Sequence, residues 1–84
     1  MVTVYTKPAC VQCNATYRAL DTKGRKYKTI DVSVDENALQ HIKELGYLQA
    51  PVVIPSFDKI VIDPNTKERI AHWSGFRPDL LEQL

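Results

Sequence analysis

Apolar and polar positions divide the chain into short alternating blocks. Val2-Thr3-Val4-Tyr5 is β-branched and aromatic, as suits a strand buried on both faces of a parallel sheet, and Pro8 prevents it from continuing. From Val11 to Leu20 the apolar positions Cys13, Tyr17 and Leu20 step by four and three, which predicts a helix that Gly24 stops. Tyr27 to Val32 reads as a second strand, with Lys26 and Lys28 at its exposed start and Ile30 and Val32 further in. Ser33-Val34-Asp35-Glu36 fits a capping box that opens a second helix. Ala38, Ile42 and Leu45 form its apolar stripe, His41 falls on its exposed side, and Gly46 ends it. Pro51 then opens a third strand, Val52-Val53-Ile54, where a missing amide costs least.

Beyond the third strand the pattern changes. Lys59-Ile60-Val61-Ile62 and Arg69-Ile70-Ala71 are strand-like, and Asp63-Pro64-Asn65-Thr66 between them suits a type I turn. They read as a hairpin, expected to extend the strand pair away from the cysteines. Trp73-Ser74-Gly75-Phe76 reads as a bend, and Pro78 with Asp79 opens a short helix carrying Leu80, Leu81 and Leu84. The element order predicts an α/β domain of thioredoxin type: a four-stranded mixed sheet flanked by three helices, with an extended hairpin between the third and fourth strands.

With 84 residues, the chain is expected to form one domain over 1–84, burying about 60 % of the surface its unfolded form would expose. Hydrophobic residues make up 44 % and charged ones 25 %, which argues against disorder. A net charge of +1 gives no sign of nucleic acid. The cluster Lys23, Arg25, Lys26 and Lys28 reads as a solvated helix end and strand edge rather than a phosphate site. No apolar run approaches the roughly 20 residues of a membrane span, and no secretory pattern precedes Val2. A cytoplasmic location is therefore expected, where thiols are held reduced and a lone CxxC is more often catalytic than a staple.

The chemistry concentrates in Thr6-Lys7-Pro8-Ala9-Cys10-Val11-Gln12-Cys13. Side chains at i and i+3 on a helix share one face with Cβ atoms roughly 5–6 Å apart, near the Cα separation of about 4.4–6.8 Å that a disulfide tolerates. A cysteine at a helix start beside the Lys7 ammonium favours its thiolate, the nucleophile of disulfide exchange. Cys10 is thus the expected attacker and Cys13 the resolver. Covalent haem would need His where Asn14 stands. Structural zinc needs four ligands, and His41 and His72 are neither close together nor at finger spacing. A redox pair is the favoured reading, with zinc and a plain structural disulfide as its alternatives.

The segments Val4 to Cys13, Leu48-Gln49-Ala50-Pro51-Val52-Val53 and Trp73-Ser74-Gly75-Phe76-Arg77-Pro78-Asp79 together resemble the NrdH-redoxins, glutaredoxin-sized proteins that behave functionally like thioredoxins. The resemblance covers nearly all the chain except residues 55–71, where the family usually has a tight turn. It implies that Pro51 is a cis-proline facing the disulfide and that Ala50 offers backbone to an extended substrate segment. It makes Trp73, Ser74, Gly75, Phe76 and Arg77, with Lys7, the expected partner surface; that Trp73 and Phe76 are only core is the competing view. The implied role is electron donor to the large subunit of a class Ib ribonucleotide reductase, with recycling by NADPH-dependent thioredoxin reductase. No bound cofactor or metal is implied, and a monomer is expected. Two other functions remain open. One is a glutathione-dependent glutaredoxin, which Lys7 could serve, although Trp73 to Phe76 replaces the Gly-Gly and acidic cluster of that group. The other is a zinc or iron-sulfur module shared by two chains through Cys10 and Cys13.

Overall fold

The computed structural model describes residues 1–84. In chain order the elements are β1 (Val2–Thr6), α1 (Val11–Thr22), β2 (Tyr27–Asp31), α2 (Glu36–Glu44), β3 (Val52–Ile54), β4 (Val61–Ile62), β5 (Arg69–Ile70), β6 (Trp73–Ser74) and α3 (Pro78–Leu81). The main sheet has the order β2-β1-β3-β6. β1 pairs in parallel with β2, from Val2 opposite Tyr27 to Thr6 opposite Asp31, and antiparallel with β3, where Val4 faces Val53. β6 completes the sheet antiparallel to β3, Trp73 facing Val53.

Alternation along the central strands sends side chains to two cores, as their period of two requires. Val2, Val4 and Val53 pack with Leu20 of α1 and with Leu80, Leu81 and Leu84 at the C-terminal helix. Tyr5 and Val52 face the other way, onto Ala38 and Ile42 of α2 and onto Val32. Helices therefore cover both faces, and a fully buried aliphatic side chain such as Leu20 contributes about 1.5–3 kcal/mol. β1 consequently delivers its last residue, Thr6, to the same end of the sheet at which α1 and β3 begin.

Three local expectations are corrected. The cap of α2 is Asp35, whose carboxylate accepts from the Ala38 amide at 2.9 Å. Ser33 is already engaged: its amide and hydroxyl both donate to Asp31 Oδ1, at 2.8 and 2.6 Å. The stripe of α2 is carried by Ala38 and Ile42, with Leu45 only half-buried at the helix end. The bend expected over Trp73 to Phe76 begins as the edge strand β6.

The hairpin differs most. β4 and β5 pair only with each other, forming a separate two-stranded sheet rather than an extension of β3 and β6. Its turn is also wider than the expected four residues, since the Lys67 amide donates to the Asp63 carbonyl at 2.8 Å. Val61 enters the core beside Leu80 and Leu81. The Gln83 side chain then treats β4 as a neighbouring strand would, accepting from the Ile62 amide at 2.8 Å and donating to its carbonyl at 2.6 Å. The insertion lies along the C-terminal helix.

Candidate active site

Pro8 ends β1, and Ala9 turns the chain through a left-handed conformation with φ of 54°. This is uncommon for a residue with a Cβ. The turn places Cys10 at the N-cap of α1, where its Sγ accepts from the Cys13 amide at 3.1 Å and its carbonyl accepts from Asn14. A sulfur takes the place that serine or aspartate oxygen fills in other caps. Cys10 and Cys13 are joined in a disulfide, with Cα atoms 5.2 Å apart. Cys10 is 7 % exposed and Cys13 only 1 %. An incoming group reaches the first sulfur before the second.

The start of β3 supplies the opposite wall. The Ala50–Pro51 peptide is cis, as the resemblance implies. Cys10 Sγ lies 3.9 Å from the Ala50 carbonyl oxygen. Ala50 belongs to the same buried cluster as the two cysteines. A shallow groove of about 220 Å³ runs beside them, lined by Lys7, Ala9, Cys10, Val11, Gln12, Gln49 and Ala50. Lys7 is its one charged side chain. Val11, 80 % exposed, stands at its rim.

The tail closes the other side. The Gly75 amide donates to the Pro51 carbonyl at 2.8 Å, and the Phe76 amide to Gln12 Oε1 at 2.9 Å. Gly75 is required there: its φ is +81°, and a Cβ would meet Gln12 Oε1 at 3.2 Å. Phe76, 37 % exposed, is thereby held against the active-site helix. Ser74 is half-buried beside Val52 in the sheet. Trp73 departs from the expected partner surface: at 4 % exposure it is core, because its position opposite Val53 points the indole under α3.

Arg77 caps the picture with a two-pronged pair to Asp79, Nε to Oδ1 at 3.1 Å and Nη2 to Oδ2 at 2.8 Å, and with Asp63 of the hairpin 3.9 Å away. The hydrogen bond from Arg77 holds the Asp79 carboxyl below the ordinary carboxylate value. A group whose folded pKa is depressed stabilises fully above its unfolded value, about 4, and loses that contribution as pH falls through the lower folded value. Asp79→Asn should therefore lower the urea midpoint slightly at neutral pH, by the small amount typical of an exposed pair, and the two proteins should converge in acid. A gap independent of pH would contradict the pairing.

Sequence reasoning missed Gln12, Gln49 and Tyr17 as members of the site. Gln12 had one signal, its place between the cysteines. Tyr17 had none, since a helical stripe accounts for it.

Comparison with known proteins agrees with this geometry. The glutaredoxin family model matches residues 2–58. The glutaredoxin-like protein NrdH of Escherichia coli (strain K12) is 35 % identical over 83 residues, covering 99 % of this chain and 86 % of the relative. That of Salmonella typhimurium is 32 % identical over the same shares. The solved structure of NrdH-redoxin from Escherichia coli, a glutaredoxin-like protein described with a thioredoxin-like activity profile, superposes with a TM-score of 0.80 at 35 % identity, covering 99 % of this chain and 92 % of that one. A thioredoxin-like protein, BC3987, matches at TM-score 0.74 and 21 % identity, which speaks for the fold alone. With its cysteine pair at the start of α1 and these relatives at nearly full length, the chain belongs to the glutaredoxin family as a glutaredoxin-like thiol-disulfide oxidoreductase of the NrdH type.

Proposed function

We propose that this protein is a cytoplasmic dithiol electron donor to a class Ib ribonucleotide reductase and that NADPH-dependent thioredoxin reductase returns it to the dithiol form. In the reduced state the Cys13 amide, which faces Cys10 Sγ at 3.1 Å, and the helix start stabilise negative charge on Cys10. Lys7 adds a cation in the same groove. Cys10 thiolate attacks one sulfur of the partner's disulfide, displacing the other as thiolate and leaving a mixed disulfide. Cys13 then attacks Cys10 Sγ, closes the intramolecular disulfide and releases the second partner sulfur. Two electrons pass to the partner, whose two sulfurs leave as thiols after protonation.

The substrate segment lies extended along Ala50 and Pro51, adding a short strand beside the cysteines. Lys7, Ser74, Gly75, Phe76 and Arg77 frame that segment. Trp73 supports them from beneath.

The observation that carries the reading is the make-up of the groove beside Cys10. Glutathione brings two carboxylates, which ask for cations and free amides near the disulfide. Here Lys7 is the only charged lining residue, and the Phe76 amide is taken by Gln12. A protein partner with an extended apolar or neutral strand suits Val11, Gln12, Gln49 and Ala50 better. The thioredoxin-like profile stated for the Escherichia coli relative points the same way. The test is deoxyribonucleotide formation by a class Ib reductase with this protein, thioredoxin reductase and NADPH as the only reductant. Product formation dependent on this protein supports the proposal, and none above the protein-free rate contradicts it.

A further inference from the structure

Tyr17 sits one helical turn beyond Cys13, on the face that packs against the cluster of Cys10, Cys13 and Ala50. The same side chain also packs against the main core, so it bridges the two. Its hydroxyl is hydrogen-bonded to the hydroxyl of Thr6, the buried last residue of β1. Its ring stacks on Tyr27 of β2, with centroids 5.8 Å apart and planes 5° from parallel. The ring is thus held on both sides, and the bond to Thr6 ties α1 to the strand that leads into the active-site loop. A residue needed only to fill space would not require a polar anchor on the cysteine side of the helix.

Cys13 is the group this wall affects. It is 1 % exposed, and burial in apolar surroundings favours the neutral thiol over the thiolate. Few groups with a proton or a charge surround it. On its own helix there is Tyr17, with Thr6 below on β1 and the exposed Lys7 in the loop. Beyond Tyr17, burial first and then the neighbouring Asp21 carboxylate push the Tyr27 phenol up, so it remains neutral. From the segment before β3, Ala50 joins the Cys13 cluster, and on the tail Arg77 is satisfied by Asp79. None of these provides a carboxylate or imidazole for Cys13.

We propose that Tyr17 is a positioning residue for the resolving cysteine: its anchored ring keeps Cys13 dry, so that the thiol holds its proton until Cys10 has formed the mixed disulfide. This rests on the reading that Cys10 attacks and Cys13 resolves. The step it times is balanced: the Cys13 S–H bond breaks, Cys13 sulfur bonds to Cys10 sulfur, the Cys10–partner S–S bond breaks, and the proton ends on the departing partner thiolate. A dry Cys13 competes poorly with Cys10 for the negative charge, so the reduced protein reacts through one sulfur only.

The test uses reduced full-length protein and dithiobis(nitrobenzoate), a disulfide: attack by Cys10 releases one thionitrobenzoate and leaves a mixed disulfide, and release of the second thionitrobenzoate reports resolution, followed across pH in stopped flow. In Tyr17→Ala the pH profile of release should move toward the ordinary thiol value, making resolution at neutral pH faster by roughly three- to fourfold for each pH unit that the profile moves, because the lower nucleophilicity of a less basic thiolate offsets part of the larger thiolate fraction. Tyr17→Phe keeps the wall and loses the anchor, and should move the profile in the same direction by less. Alkylation of Cys10, measured in Cys13→Ser backgrounds with and without the Tyr17 change, should keep its own pH profile. Unchanged release profiles in both variants overturn the proposal, as does an equal displacement of the Cys10 alkylation profile, which would mean general loosening of the site. Tyr17→Phe retains the ring and its stack, so the proposal is still tested should Tyr17→Ala not fold. Comparing the two single-cysteine variants keeps the two readings apart: should Cys10→Ser form the adduct faster than Cys13→Ser at neutral pH, the attacker assignment is refuted, whatever Tyr17 does.

Discussion

Cys13→Ser should react with a disulfide substrate once and stop, covalently joined to it through Cys10, while Cys10→Ser should fall to background turnover. The asymmetry follows from the site. Cys10 is the sulfur at the helix start, facing the Cys13 amide at 3.1 Å, and the more exposed of the two, at 7 % against 1 %. A serine at position 13 can still donate its amide to Cys10, but its hydroxyl cannot displace a thiol from it. Non-reducing gels and mass spectrometry of Cys13→Ser with an oxidised protein substrate give the readout. Trapping through residue 10 is the expected result, and no adduct would count against Cys10 as attacker.

Trp73→Ala should destabilise the whole domain. The indole is 4 % exposed among Val4, Leu20, Val53, Val61, Leu80 and Leu81. Truncating a buried Trp to Ala costs about 3–5 kcal/mol, against a total of about 0.05–0.15 kcal/mol per residue in a domain of this kind. Over 84 residues the loss takes a large part of the stability. Trp73→Phe should be far milder, because the Trp73 Nε1 has no hydrogen-bond partner and its removal relieves a buried polar group while most of the packing remains. Urea unfolding of both variants gives the answer. An unchanged midpoint in Trp73→Ala would return the residue to the partner surface.

The parts of the fold set by local pattern were legible in the sequence. β1, α1 and the cysteine pair follow from β-branched runs, helical spacing and the CxxC at a strand-to-helix turn. Where two local signals competed, the pattern alone could not choose. Ser33 and Asp35 both suit an N-cap, and Asp31, by taking the Ser33 hydroxyl and amide, leaves Asp35 to do it. The hairpin was legible as a hairpin, but its placement depends on Gln83, 21 residues from Ile62, and on Val61 joining a core assembled from distant segments. Gln12 reads as an ordinary helical residue because Phe76, its partner, lies 64 positions away. Trp73 illustrates a different limit. Its motif identifies a family tail, and only the pairing of β6 with β3 decides which way the indole points.

This dithiol is proposed to serve protein partners and to be recycled by thioredoxin reductase. The most direct measurement is reduction of the oxidised protein by NADPH with thioredoxin reductase, run beside NADPH with glutathione and glutathione reductase. Rapid turnover with thioredoxin reductase and little with glutathione is the predicted result. Turnover with glutathione alone would contradict the account and make this a glutathione-dependent glutaredoxin whose groove takes both carboxylates despite its single cation, Lys7.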